Sequence, residues 1–242
     1  MDFKYIKKEI THYILIFVGV FAFKSSFFEP NHIPSGSMLP TLAIGDFILV
    51  NKMSYGFKIP YSDTMIFGIG DGKPTYINKF TPPERGDIAV FRYPKNPDIL
   101  FVKRIVGVPG DEIEVFDNQM YLNGKLVDTK PLKKEDNIDV FDEKFGPENL
   151  SFHEVNWGDT KFVTTHNDAM PYHLNTREKV VVPEGHLFAM GDNRDFSSDS
   201  RVWGFVPFEY VRGKAMFVWF NMVYPWSAEK FHFRPWRIGK SF

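Results

Sequence analysis

Residues 100–127, LFVKRIVGVPGDEIEVFDNQMYLNGKLV, decide the fold class. Leu100 to Val108, Glu112 to Phe116 and Met120 to Leu122 are short runs of β-branched and aromatic residues, the composition of strands. Gly, Pro, Asn and Asp separate them, and Asn123-Gly124 is the dipeptide of a tight hairpin leading into Leu126-Val127. The same pattern recurs outward in Asp46 to Val50, Asp87 to Tyr93, Lys161 to Thr165, Val180 to Val182, His186 to Met190 and Ala215 to Phe220. The chain beyond residue 29 therefore reads as mainly β.

Two cations interrupt the first of these strands. Alternation places Phe101, Lys103 and Ile105 on one face and Val102, Arg104 and Val106 on the other. Both faces are apolar, so pattern does not choose between Lys103 and Arg104 as a reactive group. Chemistry does, because a guanidinium stays protonated whereas an ammonium desolvated among apolar side chains has its pKa drawn towards neutrality. Lys103 is the candidate general base. A candidate nucleophile lies in Ile33-Pro34-Ser35-Gly36-Ser37-Met38-Leu39-Pro40-Thr41-Leu42. There Pro34 fixes its φ, Gly36 permits a positive one and Pro40 stops any helix begun at Ser37, leaving the serines on a short exposed bend. A serine hydroxyl needs such a base before it attacks.

With these residues in view, the chain resembles the bacterial type I signal peptidases, membrane-bound serine proteases that remove signal peptides from exported proteins. Ser35 to Leu42 is similar to the family's nucleophile box, Arg85 to Phe91 to its next strand, and Lys103-Arg104-Ile105-Val106-Gly107 to its lysine box. Gly191 to Arg201, followed by Trp203-Gly204-Phe205-Val206-Pro207, is similar to the last box. The resemblance implies a signal-peptidase-like antiparallel β catalytic core with an inserted β-rich subdomain, and neither cofactor nor metal. It implies Ser37 as nucleophile, Lys103 as base, Ser35 in the oxyanion hole, Ser197 orienting the lysine amine, and Asp199 and Arg201 as a structural ion pair. It further implies that Ile33, Met38, Leu42, Ile48, Val90 and Val102 line shallow pockets for Ala-like side chains of preprotein signal peptides. Phe196 stands where the family usually has Asn, and Asn31 where it can have an aromatic.

At the N-terminus Lys4, Lys7 and Lys8 precede an uncharged run from Tyr13 to Phe23. Counting Ile10 to Phe28, with Lys24 snorkelling, reaches the roughly 20 residues that a bilayer crossing needs. A cleavable signal peptide also begins this way, but no small-residue cleavage site follows. One uncleaved anchor is expected, N-terminus inside, with the catalytic domain on the periplasmic face of a bacterial inner membrane. The expected organisation is a cytoplasmic N-terminus over 1–9, a transmembrane anchor over 10–29, a catalytic core over 30–111 and 186–242, and the insertion over 112–185. Abundant Phe, 26 in 242 residues, suits a domain resting on lipid or a large aromatic core. The net charge of −1 gives no reason to expect a nucleic-acid partner, and the lack of cysteine excludes thiol catalysis and disulfides.

Other readings compete. A Ser/His/Asp arrangement would draw on His32 or His186, but no histidine pair has zinc spacing and sequence proximity is poor evidence of geometry. A self-cleaving repressor would need a DNA-binding N-terminal part. A non-enzymatic membrane-tethered β-domain would need neither Ser37 nor Lys103. A paralogue dedicated to one pilin or conjugation substrate would look the same at this level.

Overall fold

A helix does not run through a proline, and the residue before one prefers an extended backbone, so Pro30 sets where the N-terminal helix must have ended. The computed structural model describes residues 3–59, 62, 74–78, 80–158, 160–170, 175, 176, 178–227 and 229–242. In it α1 (Phe3–Ser26) gives way to strand β1 (Phe28–His32). The helix starts before residue 10, and Phe28 and Glu29 belong to the sheet, where they pair with Asn51 and Val50. Lys52 clamps the junction by an ion pair to Glu29 at 2.6 Å. Among the described residues no helix is long and apolar enough to cross a membrane. Tyr13 to Val18 and Val20 stay 57–68% exposed on α1. Positions 60, 61, 63–73, 79 and 228 of the expected core, and 159, 171–174 and 177 of the expected insertion, lie outside the described residues, as do the first two residues and the side chains of 21–26.

The main sheet is built from β1, β2 (Asp46–Asn51), β3 (Ile88–Tyr93) and β4 (Asn96–Gly107). After them in the chain come β5 (Glu112–Phe116), β6 (Gln119–Leu122), β7 (Lys125–Leu126), β8 (Thr129–Leu132), β9 (Leu150–Trp157), β10 (Thr160–Asn167) and β11 (Val180–Val181). The last strands are β12 (His186–Met190), β13 (Val206–Pro207), β14 (Val211–Val223) and β15 (His232–Phe233), with a single-turn helix α2 (Ser200–Trp203) before β13. The eight-stranded main sheet runs β1-β2-β14-β3-β4-β12-β13 with β15 on β14, and every pairing is antiparallel. Two smaller sheets, β10-β9-β8 and β11-β5-β6-β7, take all their strands from Glu112 to Val181. The Asn123-Gly124 turn joins β6 to β7 with φ of 53° and 76°, the left-handed pair that a two-residue hairpin requires. The strands β1, β8, β9, β13 and β15 lie outside the segments read as strands from the sequence.

β2 shows why the sheet forms: in DFILVN, Asp46, Ile48 and Val50 turn inward while the residues between them are half-buried. β4 is different. Its outer end is exposed, but Lys103 to Gly107 are buried on both faces, Ile105 packing with Phe91 and Leu187 and Val106 with Ile113 and Phe188. A strand buried on both sides reads as a continuous apolar run, which is how this segment looked from its residues. Its register sets Lys103 opposite Ala89 and Arg104 opposite Ile88, bringing two cations into the interior on opposite faces.

Candidate active site

Met38, Leu39 and Leu42 are essentially fully buried and pin the bend that carries Ser37 to the core. Within the bend Leu39 N–H donates to Gly36 O at 3.2 Å and Leu42 N–H to Met38 O at 2.9 Å. From the other side Asn193 grips it twice, its N–H donating to Ser37 O at 3.2 Å and its amide Nδ2 to Gly36 O at 2.9 Å. Gly36 does not adopt the positive φ expected of it. It is needed for space, because a Cβ there would lie 2.3 Å from the Phe145 ring. Gly191 has the same role, since a Cβ would stand 2.4 Å from Ser37 O. Ser37 Oγ is thus held at the cleft floor, 3.4 Å from the exposed Ser35 hydroxyl.

Lys103 reaches this hydroxyl from β4, its Nζ 2.5 Å from Ser37 Oγ and its side chain only 4% exposed. Burial pushes the ammonium down from 10.5 to about 8; Asp199 and Asp192 oppose that shift and Arg201 adds to it. Arg104, on the opposite face, is committed elsewhere. Its guanidinium takes Asp192 in a two-pronged pair at 2.8 and 2.7 Å, with side-chain exposures of 3% and 0%. Asp192 also accepts from Thr41 Oγ1 at 2.6 Å, so this ion pair props the C-terminal side of the Ser37 bend.

The expected Asp199 and Arg201 pair is present at 2.8 Å. Burial alone would raise the Asp199 carboxyl, but Arg201 and the Gly191 N–H outweigh it and hold it below its usual range. Ser197 is buried beside Gly191, where its hydroxyl helps to hold the Asp199 carboxyl down, and no hydrogen bond joins it to the Lys103 amine, so the lysine-orienting bond implied by the resemblance is not formed in this structure. The Lys103 amine is directed instead at Ser37. Arg104, Asp192, Asn193 and Thr41 were not singled out as site residues, although Asp192 and Asn193 stand in the box that begins at Gly191.

A cleft of about 390 Å³ opens over Ser37 and Lys103. Ile33, Met38 and Val102 line it, joined by Asn31, Leu100 and Phe196. Leu42, Ile48 and Val90 do not. They sit at 0–1% exposure in the cluster beneath Ile33 and Met38: Ile48 and Val90 are inward-facing positions of β2 and β3, and Leu42 enters the same core from the end of the Ser37 bend. Phe196 packs edge-on against Phe145 at 5.3 Å, which gives an aromatic at this position a structural purpose. His32 lines the cleft, but the hydrogen bonds of Ser37 Oγ are to Lys103 and Ser35 and none is to a histidine. His186 Nδ1 contacts Glu184 O at 3.0 Å. A Ser/His/Asp site is not assembled among the described residues.

A model of the family "Signal peptidase, peptidase S26" matches residues 6–220. Among curated relatives, Signal peptidase I of Pseudomonas aeruginosa is 38% identical over 218 residues, 84% of this chain and 68% of its own. That of Pseudomonas fluorescens is 39% identical over 221 residues, 85% and 69% of the two chains. That of Aquifex aeolicus is 35% identical over 242 residues, 89% and 84%. A crystal structure of a signal peptidase I from Enterococcus faecalis is 28% identical, with a TM-score of 0.34, over 55% of this chain and 97% of that one. With a match that runs from α1 into β14, the chain belongs to the signal peptidase family, peptidase S26, and is a serine endopeptidase that processes signal peptides.

Proposed function

We propose that the chain cleaves exported preproteins after small residues, of the Ala-Xaa-Ala type, by a Ser37/Lys103 acyl-enzyme mechanism. The observation that carries this reading is the 2.5 Å approach of a buried, pKa-lowered amine to Ser37 Oγ. Neutral Lys103 accepts the Ser37 proton as Oγ attacks the scissile carbonyl. The Ser37 N–H and the Ser35 hydroxyl receive the developing oxyanion, a role worth about 3 kcal/mol per donor in other serine proteases. Lys103 then gives its proton to the leaving amine, and water activated by the same amine hydrolyses the ester. The substrate lies extended along the segment leading into Ser37, its small side chains over Ile33, Met38 and Val102. The core is 30–111 with 186–242, and 112–185 is an insertion that supports the bend through Phe145.

The pH dependence tests the base. Protonated Lys103 cannot accept a proton, so with a pKa of about 8 only about a tenth of the enzyme is competent at pH 7. Cleavage of an Ala-Xaa-Ala preprotein in detergent should rise about tenfold per pH unit up to about 8 and then level off. A profile that instead breaks near 6.5 points to a histidine and removes the lysine from this role.

We further propose that α1 anchors the enzyme in the bacterial inner membrane as a single pass, its N-terminus cytoplasmic and the catalytic domain periplasmic. The support is the exposed apolar surface from Tyr13 to Val20 and the lysines at its N-terminal end. At 1.5 Å per residue, 24 residues span about 36 Å, longer than a hydrocarbon core of about 30 Å. The exposed Trp219, Trp226, Phe231 and Trp236 near the C-terminus suit a domain resting on lipid. Expressed in a bacterial host, the full chain should resist carbonate extraction, with its catalytic domain open to protease added to spheroplasts. Recovery in the carbonate supernatant excludes the anchor.

A further inference from the structure

The single turn Arg194–Phe196 that sends Phe196 into the substrate cleft sends Arg194 into a different cavity, of about 270 Å³, walled by the two smaller sheets. Arg194 is 6% exposed, its Nε is shielded from solvent without a hydrogen-bond acceptor, and among the described residues its guanidinium has no ion pair. The nearby acids are occupied. Asp192 holds Arg104, Asp199 holds Arg201, and Asp195 accepts from the Asn167 N–H at 2.8 Å and lies 3.9 Å from His166 Nδ1. Asp128 lines the cavity but is itself exposed. A buried cation without an ion pair of its own is unfavourable, and burial, followed by the charge of Arg201, pushes the Arg194 pKa down to about 10 although the charges of Asp192 and Asp199 act the other way. The rest of the wall is mixed: apolar Met120, Val127 and Phe162 lie on it beside polar Gln119, Thr164 and His166.

We propose that this cavity is a binding site for a small apolar monocarboxylate, its carboxylate received by Arg194 and its body resting against Met120, Val127 and Phe162. A guanidinium presents a planar fork that a carboxylate matches in two parallel hydrogen bonds. A single arginine beside the carboxylate of Asp128 suits a monoanion better than a phosphate dianion. The inference is independent of the Ser37/Lys103 reading, since none of these residues takes part in that chemistry.

Benzoate is the probe, with neutral benzamide and inorganic phosphate as controls, on the full chain in detergent. Benzoate should raise the Tm in a concentration-dependent way and bind with a Kd at least about tenfold tighter than benzamide, while phosphate has no effect. Arg194→Met should abolish the benzoate response while the protein stays folded, because an apolar side chain of similar length replaces the unpaired charge. If that variant does not fold, Val127→Trp, which fills the cavity and keeps the arginine, should abolish it instead. No response to millimolar benzoate, equal binding of benzamide, or an unchanged response in either folded variant overturns the proposal.

Discussion

Ser37→Ala and Lys103→Met should each reduce preprotein cleavage by about 10⁴-fold or more, and the double variant should be no worse than either single one. The non-additivity follows from geometry: Lys103 Nζ is buried with Ser37 Oγ 2.5 Å away, so neither group has a catalytic task once the other is gone. Methionine keeps the length of the lysine side chain without the amine. It should also leave the fold intact. The native pKa of Lys103 lies near 8 against 10.5 for the free side chain, so the unfolded chain binds more protons between those values. Native stability therefore gains as pH rises through that window, and below about pH 8 the whole penalty for burying the charged form, about 3 kcal/mol, is present. Lys103→Met removes that penalty, and its Tm at pH 7 should equal or exceed that of the wild type. Retained cleavage by either single variant at wild-type rate, measured on an Ala-Xaa-Ala preprotein in detergent, would reject the dyad.

Asp192→Asn should be the most destabilising conservative change near the site. Asp192 is fully buried and answers both Arg104 and Thr41, so the substitution leaves a guanidinium desolvated without its counter-charge. Breaking such a pair costs about 3–5 kcal/mol, which for a chain of this size is a fall in Tm of about 10 °C. Replacing both partners, as Arg104→Met with Asp192→Leu, should recover much of the loss, because an apolar pair removes the stranded charge. Activity should not return with it, since the Thr41 bond that props the nucleophile bend is gone. The exposed Lys144 and Glu229 pair is the control, and Lys144→Ala should move stability by less than about 1 kcal/mol. A fall of under about 3 °C for Asp192→Asn in thermal denaturation would show that the interior accommodates the arginine by other means.

How much of this was legible in the residues depends on how local each determinant is. Glu112 to Phe116, His186 to Met190 and the Asn123-Gly124 hairpin are set by neighbouring side chains, and the sheets contain them as read. Lys103 and Arg104 were separated by pKa chemistry when alternation failed. The structure explains that failure, since both faces of this part of β4 are interior. β8 escaped because Thr129-Lys130-Pro131-Leu132 carries a proline and little apolar surface. β9 escaped because its buried positions, Leu150, Phe152 and Val155, slip out of a two-residue period. β1 is hidden because its first residue, Phe28, continues the apolar N-terminal run. Pocket and core use the same residue types, so Leu42, Ile48 and Val90 are told from Ile33 and Met38 only by where the folded chain places them.

Ser37 stands early in the chain and its supports stand late. Ser37 is fixed by Asn193 and backed by Gly191, more than 150 positions further on, while the Phe145 ring packs on Gly36 from the segment between. Contacts of such long sequence separation close late in folding, after local hairpins have formed. A nascent chain that has already produced its serine and its lysine still lacks the wall that orients them until the Gly191 segment has been synthesised and docked. On the Ser37/Lys103 mechanism proposed above, proteolytic competence is coupled to completion of the fold, and partly made chains should not cut.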